Sequence, residues 1–195
     1  MADTVATTDR LFLREWDDAD EVRFYDIMNR PAVMRHLGGL QSPEQWREAF
    51  HRLRGFQEEF GHTFWIIEDR ASGDILGFCG LKRVNAPGAG DLTDQHEIGW
   101  RLRESAWGQG IAKEAAIASI DLAFSRYAAP HVIAPTARGN RASQGLMKRL
   151  GMIRRPDLDY IDARFPAVSE ITPQIVHSID AADWPSARAG ALGPR

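Results

Sequence analysis

Apolar and polar positions recur with two different periods along this chain, and the changes of period predict its elements. From His96 to Leu102, Ile98, Trp100 and Leu102 alternate with Gly99 and Arg101, a period of two that predicts a strand. From Ile111 to Tyr127 the spacing turns helical: Ile111, Ala115, Ala118 and Leu122 form one stripe, and Ala116, Ile120, Ala123 and Tyr127 a second. A helix with two stripes is covered over much of its surface. His131 to Ala137 returns to apolar and β-branched residues, a second strand. Strand, glycine-bearing turn, helix and strand in that order make a βαβ unit, so these two strands should run parallel.

The same reading extends to both ends. Leu11 to Arg14 is a short strand-like block, and Asp17, Asp18 and Asp20 suit the N-terminal end of a helix through Met28, which Pro31 ends or kinks. Ser42, with Pro43 next and Gln45 three residues on, predicts a capped helix to Phe60. Thr63 to Glu68 and Ile75 to Val84 read as a hairpin across Ser72-Gly73-Asp74, and Asn85 to Thr93 as a flexible connection rich in Gly and Pro. Arg141 to Leu150 is a helix stopped by Gly151, Met152 to Arg154 starts a strand, Asp157 to Val168 is irregular or strand with loop, and Gln174 to Asp180 is a last strand. Gly, Ala and Pro from Ser186 to Arg195 predict a frayed tail.

Composition narrows the class. With 195 residues, 44% hydrophobic and 26% charged, the chain is expected to be one soluble domain. A chain of this length buries about 70% of the surface it would expose unfolded. A net charge of -3 gives no basic footprint for direct nucleic-acid binding. The start lacks the charged and apolar regions of a signal peptide, and no run of about 18 apolar residues occurs, so the expectation is a cytoplasmic protein without a membrane partner. Cys79 is the single cysteine, which excludes an internal disulfide and reads as a buried, inert thiol. The six histidines show no ligand spacing, so no metal is expected.

The chemistry concentrates in Trp107-Gly108-Gln109-Gly110-Ile111-Ala112. Glycine lets the backbone turn tightly and approach a ligand. The first N–H groups of the following helix lack intrahelical partners and carry the positive end of its dipole, so such a turn can hold a pyrophosphate. Lys113 stands where a dinucleotide fingerprint needs its third glycine, and no Walker sequence is present.

This turn resembles the acetyl-CoA loop of the GNAT N-acetyltransferase superfamily: Gln or Arg, two residues, Gly, one residue, Gly or Ala. Trp107 takes the first place, Gly110 the fourth and Ala112 the sixth. Tryptophan before GxG resembles the RimJ/RimL branch, the ribosomal-protein N-acetyltransferase-like group. The blocks TDRLFLREW (Thr8 to Trp16), PAVMRHLGG (Pro31 to Gly39), GFCGL (Gly77 to Leu81), HEIGWRL and GNRASQGLMKRLGM (Gly139 to Met152) follow in family order.

The resemblance implies an α/β (α+β) fold: a mixed, mostly antiparallel sheet of six to seven strands, helices on both faces and a splayed parallel pair. It implies one GNAT domain over residues 8–184 with a flexible tail at 185–195. It implies acetyl-CoA as donor, with no metal, held by Trp107, Gly108, Gln109, Gly110, Ile111, Ala112 and the side chain of Asn140. Backbone N–H groups from Trp100 to Leu102 would meet the developing oxyanion, and Arg101 and Arg103 would approach the cofactor's phosphates. Glu97 would be the general base, His96 its neighbouring alternative. Many members use a tyrosine to protonate the leaving thiolate; none stands near the Asn140 block in sequence, so Ser143 becomes the candidate acid. The implied reaction moves an acetyl group to a primary amine, foremost a protein or peptide N-terminal α-amine, directly in a ternary complex. An α-amine is the easier acceptor, since its reference pKa lies about 2.4 units below that of lysine, roughly 3.3 kcal/mol of deprotonation cost. The alternatives are a small amine, such as an antibiotic or polyamine, and a non-catalytic CoA-binding sensor. The acceptor is expected between Met28 to Leu40, Asn85 to Asp94 and Asp157 to Ala167, where Asp91, Asp157, Asp159 and Asp162 would attract a cation. Related enzymes are monomers or homodimers.

Overall fold

Side chains that satisfy their own backbone ends account for the best-defined elements. In the computed structural model, which describes residues 2–166 and 169–193, Ser42 Oγ accepts from Gln45 N–H at 3.3 Å while Gln45 Oε1 accepts from Ser42 N–H at 2.9 Å. This reciprocal cap opens α3 (Pro43–Phe60), and Gly61, at φ +71°, closes it. Such a cap stabilises a helix by about 1 kcal/mol.

The chain forms two compact units, Met1–Lys82 with Gly99–Ser119 and Arg83–Ile98 with Ile120–Arg195. It crosses between them inside β5 (His96–Leu102) and inside α4 (Ile111–Ser125). Neither unit is therefore a contiguous segment.

In the first unit β1 (Thr4–Thr7), β2 (Leu11–Arg14), β3 (Phe64–Asp69) and β4 (Ile75–Arg83) pair antiparallel in chain order. The C-terminal half of β5 follows β4, with Arg103 N–H donating to the Leu76 carbonyl just beyond it at 2.9 Å. Around these strands lie α1 (Asp20–Met28), α2 (Pro31–Met34) and α3. An aromatic core joins them: Trp16, Phe24, Trp46, Phe50 and Phe78 cluster with Met28 and Met34, Trp16 meeting Phe24 edge-on at 4.8 Å. Two expectations change here. Pro31 opens α2 at a first-turn position, where its missing N–H costs nothing, instead of merely ending α1. Asp20, read as a dipole charge, is buried and receives Arg14 through both oxygens at 2.7 and 2.9 Å, with Glu68 on the same guanidinium at 2.8 Å.

In the second unit the N-terminal half of β5 runs parallel to β6 (His131–Ala137), with Glu97 opposite Ile133. β9 (Pro173–Asp180) pairs antiparallel with β6 along its length and also carries β7 (Ile153–Arg154) and β8 (Tyr160–Ile161). Helix α5 (Arg141–Arg149) follows β6. The architecture is the mixed, mostly antiparallel α/β arrangement expected, with its one parallel pair. The described residues hold nine strands; β1 is the addition, and β8 falls in the stretch from Asp157 whose sequence reads as irregular or strand with loop.

Two stretches that composition predicts to be loose are packed. Asn85 to Thr93 contains a 3-10 turn, Gly90–Leu92, and Ala86, Ala89 and Leu92 are buried with Val84, Ile133 and Val176. The expected tail forms α6 (Trp184–Leu192). Trp184 is buried and donates through Nε1 to Asp121 at 2.7 Å, and Arg188 grips the same carboxylate at 2.8 and 2.9 Å. One large aromatic anchor outweighs the fraying that Gly and Pro suggest. Helix α4 ends at Ser125, two residues before the expected Tyr127. Among the described residues no helix is long and apolar enough to cross a membrane.

Candidate active site

β5 ends in a 3-10 turn, Glu104–Ala106, after which Trp107 is extended and Gly108 and Gly110 take φ of +73° and +78°. These left-handed values explain the glycines. A Cβ built on Gly108 would meet nothing within 4 Å, so the residue is required for its conformation and the space before it is open. Trp107 is 48% exposed, and its Nε1 donates to the Leu102 carbonyl at 2.9 Å, which ties the turn back to the strand end. Gln109 holds the turn from both sides: its Nε2 donates to the Ser105 carbonyl at 2.6 Å and its own carbonyl accepts from Arg10 Nη1 at 3.0 Å.

The start of α4 is held from the β1–β2 connection. Glu114 accepts from Thr8 Oγ1 at 2.6 Å, from the Arg10 N–H at 3.0 Å and from Arg10 Nε at 2.7 Å. Burial pushes the Glu114 carboxyl up, but these bonds outweigh it and hold the group below the usual carboxylate range. No described side chain accepts from the N–H groups of Ile111 or Ala112, so these two donors stand free beside the open glycine turn. Those donors fit a pyrophosphate. Thr8, Arg10 and Glu114 had no assigned role in the sequence reading; their signal was the block beginning TDR, whose use needs contacts across about a hundred residues of chain.

Trp100 is half-buried and Leu102 buried in the same unit. Arg101 does not reach toward solvent as a strand-end charge would: it lies between Phe78, Trp46 and Met34. Arg103 pairs with Asp74 at 3.4 Å. Cys79 is buried, donated to by Ser119 Oγ at 3.6 Å, and burial pushes its thiol up to about 12. It is the inert thiol expected.

In the second unit Glu97 is half-buried on β5, while Ile98, on the opposite face, is 2% exposed. His96, the alternative base, is buried with its Nδ1 at 3.3 Å from Arg83 Nη1. Tyr160 shares the electrostatic surroundings of Glu97: burial first, then the charges of Glu97 and Asp162, push its phenol above the usual tyrosine value. Sequence reasoning missed this tyrosine because β8 is two residues long and lies far from both the Glu97 and Asn140 blocks. Asn140 and Ser143 do come together, at the first turn of α5, where Asn140 Oδ1 accepts from the Ser143 N–H at 3.2 Å. Asn140 is thus a helix cap whose amide nitrogen is left for a further partner.

The acidic attraction expected for a cationic acceptor is largely met from within. Asp157 binds Arg155 at 2.6 Å, Asp159 binds Arg154, and the buried Asp162 receives Arg164 at 2.9 and 2.5 Å. Ala167, the end of the expected acceptor loop, lies outside the described residues, as does Val168. Among the described residues no group of three or more His, Cys, Asp and Glu side chains could hold a metal ion.

The family described as "Acetyltransferase (GNAT) domain" matches residues 10–153. The chain is 32% identical over 152 residues to "Uncharacterized protein YkkB" of Bacillus subtilis (strain 168), spanning 77% of this chain and 86% of that one. It superposes with a TM-score of 0.71 and 26% identity on the acetyltransferase from Agrobacterium tumefaciens str. C58, over 89% of this chain and 92% of that. It also shares a fold with the ribosomal-protein-S5-alanine acetyltransferase from Vibrio fischeri, at TM-score 0.68 and 18% identity, over 93% of this chain and 99% of that.

Proposed function

Because the chain belongs to the acetyltransferase (GNAT) domain family and is an acyltransferase, we propose that it moves an acetyl group from acetyl-CoA to a primary amine, foremost the N-terminal α-amine of a protein or peptide, as a RimJ/RimL-like enzyme. The catalytic domain is drawn over residues 8–184, with β1 before it in the same sheet and α6 continuing beyond it. The observation that carries the reading is the glycine turn at the start of α4: two left-handed residues, an open space, the free N–H donors of Ile111 and Ala112, and both ends tied down by Arg10, Gln109 and Glu114. A phosphate-binding turn works best when its amides are fixed before the ligand arrives.

When bound, acetyl-CoA supplies an activated thioester with a thiol leaving group. The chain's residues do the rest. N–H groups of Gly108 to Ala112 hold the pyrophosphate, with Trp107 covering the turn, and the Asn140 amide donates to the pantetheine arm. Glu97 takes a proton from the attacking amine, directly or through water. Backbone N–H groups between Trp100 and Leu102 stabilise the carbonyl oxygen as it becomes negative. Ser143 returns a proton to the departing sulfur.

Acetyl-CoA consumption with thiol release, measured on peptides beginning with Ala, Ser or Met and on small amines, tests this. Turnover on peptides, lowered at least about tenfold in both Glu97→Gln and Ser143→Ala, is the expected result, in keeping with the usual size of acid–base contributions. Turnover on small amines alone keeps the mechanism and changes the substrate. Tight CoA binding without acetylation of any amine turns the reading toward a sensor, and absence of CoA binding overturns it. Tyr160→Phe alongside asks whether the tyrosine, instead of Ser143, supplies the proton.

A further inference from the structure

One guanidinium in the first unit is packed among apolar side chains with no described counter-charge. Arg10 pairs with Glu114, Arg14 with Asp20 and Glu68, and Arg103 with Asp74. Arg101, on β5, pairs with no described carboxylate. Its Nε is sealed from solvent without a hydrogen-bond partner, and its Nη1 reaches only the sulfur of Met34, at 3.6 Å. The guanidinium carbon lies 5.1 Å from the centre of the Phe78 ring and 6.0 Å from that of Trp46. Aromatic faces hold a cation in place without neutralising it, and a thioether is a weak acceptor that a better one displaces. Burial alone pulls the Arg101 pKa down to about 10, so the group is still a cation at neutral pH.

The loop that follows Met34 carries exposed apolar side chains. Met34 ends α2, and its carbonyl accepts from the N–H groups of Leu37 and Gly39 at 2.9 and 3.1 Å. Gly38 and Gly39 turn the chain at φ of +94° and +86°, leaving Leu37 and Leu40 36% and 58% exposed. A guanidinium unpartnered at Nε, held against two aromatic rings and touching Met34, the residue that leads into this loop, offers donors that a carboxylate can take in a fork. We propose that Arg101 binds a carboxylate of the acetyl acceptor, so that the favoured substrate is an amine that also carries a carboxylate. This rests on the acetyl-transfer reading above and narrows its acceptor. The carboxylate can come from the main chain of a free amino acid or from an Asp or Glu side chain next to a peptide's N-terminus.

The test compares wild type, Arg101→Gln and Arg101→Lys at saturating acetyl-CoA on free amino acids, on their carboxamides, and on N-terminal peptides with Asp or Asn in second place. Wild type should prefer each acid over its amide by at least about tenfold in kcat/KM, chiefly through KM, since a site built around a polar group rejects the analogue lacking it. Whether the free acids or the Asp peptides show the preference identifies the source. Arg101→Gln should abolish the preference by bringing kcat/KM on the acids down to that on the amides, chiefly through the acceptor KM, and should not lower the melting temperature, because an unpaired buried charge is no stabiliser. Arg101→Lys should restore part of it, lacking the bidentate fork. Equal use of acids and amides overturns the proposal. So does an Arg101→Gln defect that appears in the acetyl-CoA KM, which would make the arginine a cofactor-phosphate ligand, or one that falls on all acceptors alike. Calorimetric titration with N-acetylglycine against N-acetylglycinamide gives a readout independent of turnover. If no amine is acetylated the enzymatic reading fails, yet acid-selective binding lost in Arg101→Gln still supports the site, and its absence still removes it.

Discussion

Helices α4 and α5 both begin soon after a strand, and their first turns are finished in opposite ways. Asn140 closes the first turn of α5 with its own side chain, at 3.2 Å from the Ser143 N–H. Helix α4 begins after two left-handed glycines, no described side chain accepts from Ile111 or Ala112, and its acidic Glu114 is turned to Thr8 and Arg10 instead of to its own helix end. A capped end is self-sufficient; an end held rigid but uncapped keeps its donors for something outside the chain. On the proposed reading, the α5 turn serves stability and the α4 turn a ligand.

Three changes bear on this contrast. The largest effect is expected from Gly110→Val: a branched residue at φ +78° is strained by about 1–2 kcal/mol and its side chain crowds the turn. The acetyl-CoA KM should rise at least about tenfold, as expected for a lost electrostatic contact of roughly 1.4 kcal/mol or more. An unchanged KM would mean that the turn binds nothing.

Next comes Glu114→Gln, which keeps the shape and removes the charge that holds Arg10. Since the folded carboxyl lies below its unfolded value of about 4.3, it contributes stability above that pH and loses it as pH falls through the folded value. Melting curves from pH 7 to pH 3 should show the variant less stable than wild type at neutral pH and the gap closing in acid. A gap that is constant across this range would show that the charge contributes nothing.

Asn140→Ala should have the smallest effect. Loss of a cap costs about 1 kcal/mol, or about 2–4 °C for a chain of this size. Asn140→Asp keeps an oxygen for the Ser143 N–H and removes the amide donor. If the Asp variant recovers the melting temperature but not the acetyl-CoA KM, the residue serves both helix and ligand; if it recovers both, Asn140 is a cap alone and the contrast with α4 is complete.

What could be read without coordinates was what neighbours in the chain decide among themselves. The capping box of Ser42 and Gln45, the hairpin turn at Gly73, and the strand, glycine turn and helix around Trp107 rest on interactions within a few residues, and each was legible. So was the pairing of Asn140 with Ser143, three residues apart on one turn. Tertiary structure alone decided the rest. It brought Arg10 to Glu114, set Tyr160 within electrostatic reach of Glu97, docked α6 through Trp184 on Asp121, and left Arg101 without a described counter-charge while Asp157, Asp159 and Asp162 each found one. The physical reason is that an element forms from its own periodicity and caps, whereas the partner of a charge is chosen by which distant segments the packed core brings together.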